Sequence, residues 1–191
     1  MEEFEIKFLE VNVPELEKKL ISIGAEKVGE YNYHRIIMDY PDKRLHADHS
    51  WIRLRTDGEK TTLTYKQAQM GEKKDRFIGH VGMKEIEIEV EGYEKTFELL
   101  KAIGLIVKME EKNKRIRYRL QDITFDIDFW PEIPAYLEIE STSYEKVKNA
   151  ANKLGFDSEK GIIGTAGTVY KKYGIDIDEY ASITFEGFVK K

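Results

Sequence analysis

The sequence predicts an α+β fold: a curved or closed antiparallel sheet with helices packed on its outside. Three observations lead there. Strand-like segments alternate between charged and apolar residues, so each has one polar and one apolar face. Three amphipathic segments, each ending at a glycine, are available to cover the apolar faces. Like charges also sit two apart on single strands, where they repel by about 1 kcal/mol even in water at close range. A neighbouring strand or a ligand must supply the opposite sign, which an enclosed polar face allows and a solvated one does not need.

In chain order, the first strand sets Glu3, Glu5 and Lys7 against Phe4, Ile6 and Phe8. A helix follows, with Asn12 as N-cap, Pro14 in its first turn and Glu15 three residues after the cap. Its apolar stripe is Val13, Leu16, Leu20 and Ile23, and Gly24 ends it. Period-two segments come next at 33–40, 50–56 and 61–67, the first two separated by a polar loop, Tyr40 to Ser50. Arg53 and Arg55 oppose Ile52 and Leu54, and Thr62, Thr64 and Lys66 oppose Leu63 and Tyr65. A long Gly-containing loop runs from Gln67 to Lys84 and carries Lys73, Lys74 and Arg76. Glu85, Glu87 and Glu89 then oppose Ile86, Ile88 and Val90, ahead of a helix burying Phe97, Leu100 and Ile103 before Gly104. At 114–121 Arg115, Arg117 and Arg119 oppose Ile116, Tyr118 and Leu120; at 122–129 Thr124, Asp126 and Asp128 oppose Phe125, Ile127 and Phe129. Glu138 and Glu140 oppose Leu137 and Ile139 before a third helix that starts near Ser143, buries Tyr144, Val147, Ala151 and Leu154, and stops at Gly155. The tail, 156–191, holds a short helix around Thr168 to Tyr173 and a strand around Ser182 to Phe185.

Composition bounds the reading. The 191 residues suit a single domain, 1–191, large enough to bury a core without staples. Apolar residues at 41% exclude disorder, and 35% charged residues is well above the usual ~25%. A net charge of −5 argues against a nucleic-acid partner, and no apolar run approaches the ~18 residues of a membrane span. There is no cysteine, so disulfides, thiolate zinc sites and cysteine nucleophiles are excluded. The expected setting is cytoplasmic, as a monomer or homodimer.

The polar faces together carry nine carboxylates, at 3, 5, 85, 87, 89, 126, 128, 138 and 140, and seven bases, at 7, 53, 55, 66, 115, 117 and 119. Enclosing them is costly unless they pair or coordinate ions. Clustered carboxylates are hard ligands suited to Mg²⁺ or Mn²⁺, and Arg and Lys are the residues that clamp phosphates. Both sets on one face point to a small, highly charged anion such as a polyphosphate.

The order Glu3-x-Glu5-x-Lys7, Arg53-x-Arg55, Lys66, Glu85-x-Glu87-x-Glu89, an Arg-rich strand, Asp128 and Glu138-x-Glu140 resembles the CYTH superfamily, the triphosphate tunnel metalloenzymes. The resemblance implies an eight-stranded antiparallel β-barrel, a tunnel with a charged lumen that takes a triphosphate together with Mg²⁺ or Mn²⁺. It implies metal-side carboxylates at Glu3, Glu5, Glu87, Asp128, Glu138 and Glu140, with Asp126 as a second choice beside Asp128, and Glu85 and Glu89 as second choices beside Glu87. Phosphate contacts fall on Lys7, Arg53, Arg55, Lys66, Arg115 and Arg117, and catalytic roles on Lys7, Asp128 and Glu138. Tyr170, Lys171 and Lys172, in the tail 156–191, would lie on a helix that closes one mouth. The implied activity is metal-dependent hydrolysis of inorganic triphosphate, thiamine triphosphate or a nucleoside triphosphate. Conversion of ATP to cyclic AMP and pyrophosphate is the alternative, and a non-catalytic polyphosphate-binding module the third reading.

Other signals carry less. His46 and His49 have no third ligand in sequence and read as surface residues. Gly164 to Thr168 lacks the Gly-Lys-Ser/Thr ending of a P-loop and reads as a turn with a Thr cap. Trp51 and Trp130 fit a tunnel rim or a base-stacking site, and Lys73, Lys74 and Arg76 fit a lid or a solvated loop.

Overall fold

The computed structural model describes residues 2–69 and 82–191. In chain order the elements are β1 (Glu2–Phe8), α1 (Val13–Ser22), β2 (Glu26–Asp39), α2 (Arg44–Ala47), β3 (Ser50–Thr56), β4 (Thr61–Gln69) and β5 (Gly82–Glu89). After them come α3 (Tyr93–Ala102), β6 (Ile106–Leu120), β7 (Ile123–Phe129), β8 (Tyr136–Ser141), α4 (Tyr144–Lys153), α5 (Ala166–Lys172), β9 (Tyr180–Thr184) and β10 (Gly187–Lys190). Lys73, Lys74 and Arg76 lie outside the described residues, as does the Glu3 side chain.

Eight of the strands close on themselves. The antiparallel neighbours run β6-β2-β3-β4-β5-β1-β8-β7, and β7 pairs back onto β6 through Arg115 opposite Asp128 and Arg117 opposite Asp126. The long strand β6 has room for a further partner, and β9 joins it in parallel at Glu110 and Glu111, bringing the β9–β10 hairpin with it. Among the described residues the ring is thinnest between β1 and β5, which pair at Glu2–Lys84 and Glu3–Met83. Further along, the free edge of β1 is taken by the tail: Lys7 and Ile162 exchange backbone hydrogen bonds of 2.8 Å in both directions.

The strand alternation decides which residues face in. Outside, α1 and α4 cover Ile6, Phe8, Phe125, Ile127, Leu137 and Ile139 with Leu16, Leu20, Val147, Ala151 and Leu154. On the opposite wall, Leu100 of α3 joins Ile36, Met38, Leu54 and Leu105. A third cluster sits across one end of the barrel, where Val169 and Tyr170 of α5 and Ile183 of β9 pack on Met109, Trp130 and Tyr136. Among the described residues no helix is long and apolar enough to cross a membrane.

The expected caps hold for α1, where the Asn12 side chain accepts from the Glu15 N–H at 3.2 Å with Pro14 in the first turn. Ile103 departs from expectation: it ends α3 at 58% exposed instead of joining the core. The strands β2 and β6 are also much longer than the 33–40 and 114–121 segments. Residues 26–32 and 106–113 lack a clean alternation, and it is their pairing with one another that makes them strands.

Gly161 explains how the tail can lie so close to β1. A Cβ there would come 2.0 Å from Ile6 Cγ2 and 3.3 Å from the Phe8 ring. Gly161→Ala is therefore expected to destabilise the protein by about 1–3 kcal/mol, the usual range for overpacking a core. Chemical denaturation of the two proteins checks this, and equal midpoints would mean that the tail does not dock on β1.

Candidate active site in the barrel lumen

The inward residues of the eight strands enclose a cavity of about 630 Å³. Among the described residues, nine bases and seven carboxylates line it. This reverses the sign expected from the strand faces. Asp126 and Asp128, 1% and 0% exposed, lie sealed behind Arg115 and Arg117, while Arg35, Lys108 and Lys171 join the lining. Glu89 points to solvent beside Lys60, 3.7 Å away, and Arg119 is exposed.

One wall is built on Arg115. Its guanidinium binds Asp126, donates from Nε to Asp128 at 2.7 Å and reaches Glu138 at 3.4 Å. Arg117 adds two 2.7 Å hydrogen bonds to Asp126, and Asn113 donates to Asp128 at 3.1 Å. The pairing register of β6 with β7 makes this possible by setting each arginine opposite an aspartate. Lys7, fully buried, bridges Glu5 at 2.6 Å and Glu138 at 3.0 Å. Burial alone would lower its pKa, but those two carboxylates outweigh burial and push it up, so Lys7 is a fixed cation.

The second wall holds Arg53, Arg55 and Lys66 against Glu85 and Glu87. Arg53 lies 3.1 Å from Glu87 and 3.4 Å from Glu85, Arg55 3.4 Å from Glu87, and Lys66 2.5 Å from Glu85. Thr64 donates to Glu87 at 2.7 Å. Burial, then Arg55 and Arg35, bring the Arg53 pKa down to about 10. Three like charges so close together favour an incoming anion.

Between the walls, Glu5, Glu138 and Glu140 place carboxylate oxygens within 4.8 Å of one another. The donor set fits a hard divalent cation: all oxygen, three potential negative charges and a shared focus. Their electrostatics support the same reading. Burial, then Glu138 and Glu5, push the Glu140 carboxyl up to about 7, a repulsion that a cation would relieve. Burial would also raise Glu138, yet Lys7 and Arg115 hold it well below the usual carboxylate range. Glu87 and Asp128 are not in this group, because their oxygens accept from the bases on either wall.

The Glu140 shift has a consequence for stability. A carboxyl with a raised folded pKa stabilises the fold below its unfolded value near 4.5 and loses that contribution as pH rises through about 7. A cation displacing the proton reverses the loss. Added Mg²⁺ is therefore expected to raise the melting temperature more at pH 8 than at pH 6, as measured by thermal unfolding against a chelator control.

Several lumen residues were not legible in sequence. Arg35 and Glu111 face each other across β2 and β6, and Tyr33, Asn113, Met109 and Tyr136 share their side. The inward face of β2 reads Tyr31, Tyr33, Arg35, Ile37, with no repeated charge to mark it. Thr165 to Thr168, expected as a plain turn, begin α5 and line the cavity together with Lys171. Trp51 lines the cavity near exposed His46 and His49, while Trp130 is 4% exposed and part of the end cluster.

A closed antiparallel barrel with helices outside and paired acids and bases inside defines a tunnel protein. The chain belongs to the CYTH domain family, whose description matches residues 1–166. Among solved structures, a candidate adenylate cyclase from Vibrio parahaemolyticus superposes with a TM-score of 0.73 at 14% identity, covering 90% of this chain and 98% of its own. The PH1012 protein of Pyrococcus horikoshii OT3 gives 0.66 at 24% identity, covering 84% and 94%. A candidate adenylyl cyclase of Hippeastrum, HpAC1, described as having a dominant triphosphatase activity, gives 0.62 at 17% identity, covering 91% and 96%. Comparison with curated proteins gives no match.

Proposed function

We propose that the protein is a divalent-metal-dependent triphosphatase acting on a small triphosphate inside the barrel, with Mg²⁺ or Mn²⁺ as its metal. The observation that carries this reading is the enclosed lumen itself: a three-carboxylate focus at Glu5, Glu138 and Glu140 faces the cationic wall of Arg53, Arg55 and Lys66. Its volume lies within the ~300–1,000 Å³ of small-molecule sites.

Glu5, Glu138 and Glu140 would hold the metal. The bound ion supplies Lewis-acid polarisation of phosphate oxygens. Arg53, Arg55 and Lys66 exchange their Glu85 and Glu87 partners for phosphate oxygens and neutralise the charge that grows on the departing phosphate. Glu87, freed from them, keeps the Thr64 hydrogen bond. Lys7 stays protonated and ties Glu5 to Glu138, which sets the spacing of the carboxylates. Asp128 and Asp126 orient Arg115 and Arg117 toward the substrate. Water attacks the terminal phosphorus and passes its proton to a phosphate oxygen as the bond to the bridging oxygen breaks, releasing orthophosphate and the shorter chain, and α5 with Lys171 closes the end at Trp130.

HpAC1, described as a candidate adenylyl cyclase with dominant triphosphatase activity, supports hydrolysis over cyclisation. Cyclisation would instead use the nucleotide's own 3′-hydroxyl to attack the α-phosphorus. A single assay separates the readings: protein with Mg²⁺ or Mn²⁺ and inorganic triphosphate, thiamine triphosphate or ATP. Orthophosphate release is the expected result. Cyclic AMP with pyrophosphate would establish the cyclase, and tight binding without turnover a non-catalytic module.

A further inference from the structure

Arg35 is buried in the cavity wall, 7% exposed, yet its Nε and Nη2 have no hydrogen-bond partner among the described residues. These two nitrogens form one side of the guanidinium, where two parallel N–H groups make a fork shaped for two oxygens of one anion. The obvious partner is refused. Glu111 stands directly opposite on β6, but no ion pair within 4 Å joins them. Instead the guanidinium lies 5.3 Å from the Tyr33 ring centre and 5.0 Å from that of Trp130, two contacts that fix its plane. Leaving such donors buried and unpaired is unfavourable, so a fork held this way is suited to a ligand the protein itself does not contain.

Its place in the tunnel says which part of a ligand it meets. On β8, Glu140, Glu138 and Tyr136 follow one another along the lumen, and Tyr136 belongs with Trp130 to the cluster under α5. Four residues of strand span roughly 13 Å, so Arg35, stacked on Trp130, lies toward the end away from Glu140.

Resting on the triphosphate reading above, we propose that Arg35 is a further substrate-binding residue. Its fork receives, through two oxygens, the phosphoryl group farthest from the Glu5–Glu138–Glu140 focus. Arg35 thereby selects a chain of three phosphoryl groups over a chain of two. The Arg53–Arg55–Lys66 wall holds the nearer groups beside the carboxylate focus, and only a third reaches the fork. A bidentate arginine contact is directional, so Lys cannot reproduce it with a single ammonium.

Calorimetric titration of the metal-free protein with inorganic triphosphate, pyrophosphate and orthophosphate tests this without relying on turnover. The wild type is expected to bind triphosphate at least tenfold more tightly than pyrophosphate. Arg35→Gln should lose about tenfold or more for triphosphate and less than threefold for pyrophosphate, and Arg35→Lys should recover only part of that loss. Equal triphosphate affinity in Arg35→Gln, or the same loss for both ligands, overturns the assignment of Arg35 and leaves the tunnel reading standing. A wild type that binds neither chain, whether metal-free or with Mg²⁺ added, overturns the tunnel reading and this assignment with it. Thermal unfolding separates binding from structure. Arg35→Met, which removes the unpaired donors, should melt at or above the wild-type temperature, and a marked fall would identify Arg35 as a wall element and sink the proposal.

Discussion

Replacing Glu138 with Gln is expected to lower metal-dependent phosphate release by about 10²–10³-fold, the range seen when one preorganised charge-stabilising group is lost from an active site. The side chain keeps its shape and its oxygen, so only the charge is removed. That charge stands at the junction of both systems in the lumen. It is one of the three carboxylates of the focus, and it lies 3.0 Å from Lys7 and 3.4 Å from Arg115. The barrel survives the change, because Lys7 retains Glu5 at 2.6 Å and Arg115 retains both aspartates. Far-ultraviolet circular dichroism should therefore match the wild type while turnover collapses. Unchanged turnover would remove Glu138 from the site.

Arg115→Ala should act on the fold itself. The guanidinium compensates Asp126, Asp128 and Glu138, all 10% exposed or less at the side chain. Removing one partner from a buried ionic cluster destabilises by about 3–5 kcal/mol, because charges are left buried without a counter-ion. For a chain of this length that corresponds to a fall of about 10 °C in melting temperature. The loss carries a pH signature. Burial already pushes the Asp128 carboxyl up while Arg115 is present to oppose it, and without Arg115 it rises further. A raised carboxyl stabilises the fold at low pH and ceases to do so as pH rises through its folded value. The gap between wild type and variant should thus be narrower at pH 5 than at pH 8. A gap independent of pH would mean that the aspartates are not compensated by Arg115. Arg115→Lys should recover part of the stability, since it restores charge but not the forked contact to Asp128.

Glu138 and Arg115 were both within reach of the sequence, whereas Arg35 was not. Glu138 was legible because Glu138-x-Glu140 repeats a charge on one strand face opposite Leu137 and Ile139. The same signal marked Glu5, Lys7, Arg53, Arg55, Glu87, Arg115 and Arg117, all of which line the cavity. Arg35 gave no such signal. Its strand face also carries Tyr33 and Ile37, and alternation is read from repetition, which one charge among aromatic and aliphatic neighbours does not supply. Glu89 and Arg119 show the converse: each continues a charged repeat, yet each sits near a strand end where the side chain reaches water.

Sequence by itself determined the two-faced strands, the three covering helices and the charge-lined inner surface, because side-chain direction and helix periodicity are local consequences of backbone geometry. Tertiary structure alone decided which charges satisfy each other. Asp126 and Asp128 became supports for the arginines of β6, while Glu5 and Glu140 were left facing Glu138. That division depends on register between strands far apart in the chain. A shift of one residue would turn every one of those side chains to the other face of the wall.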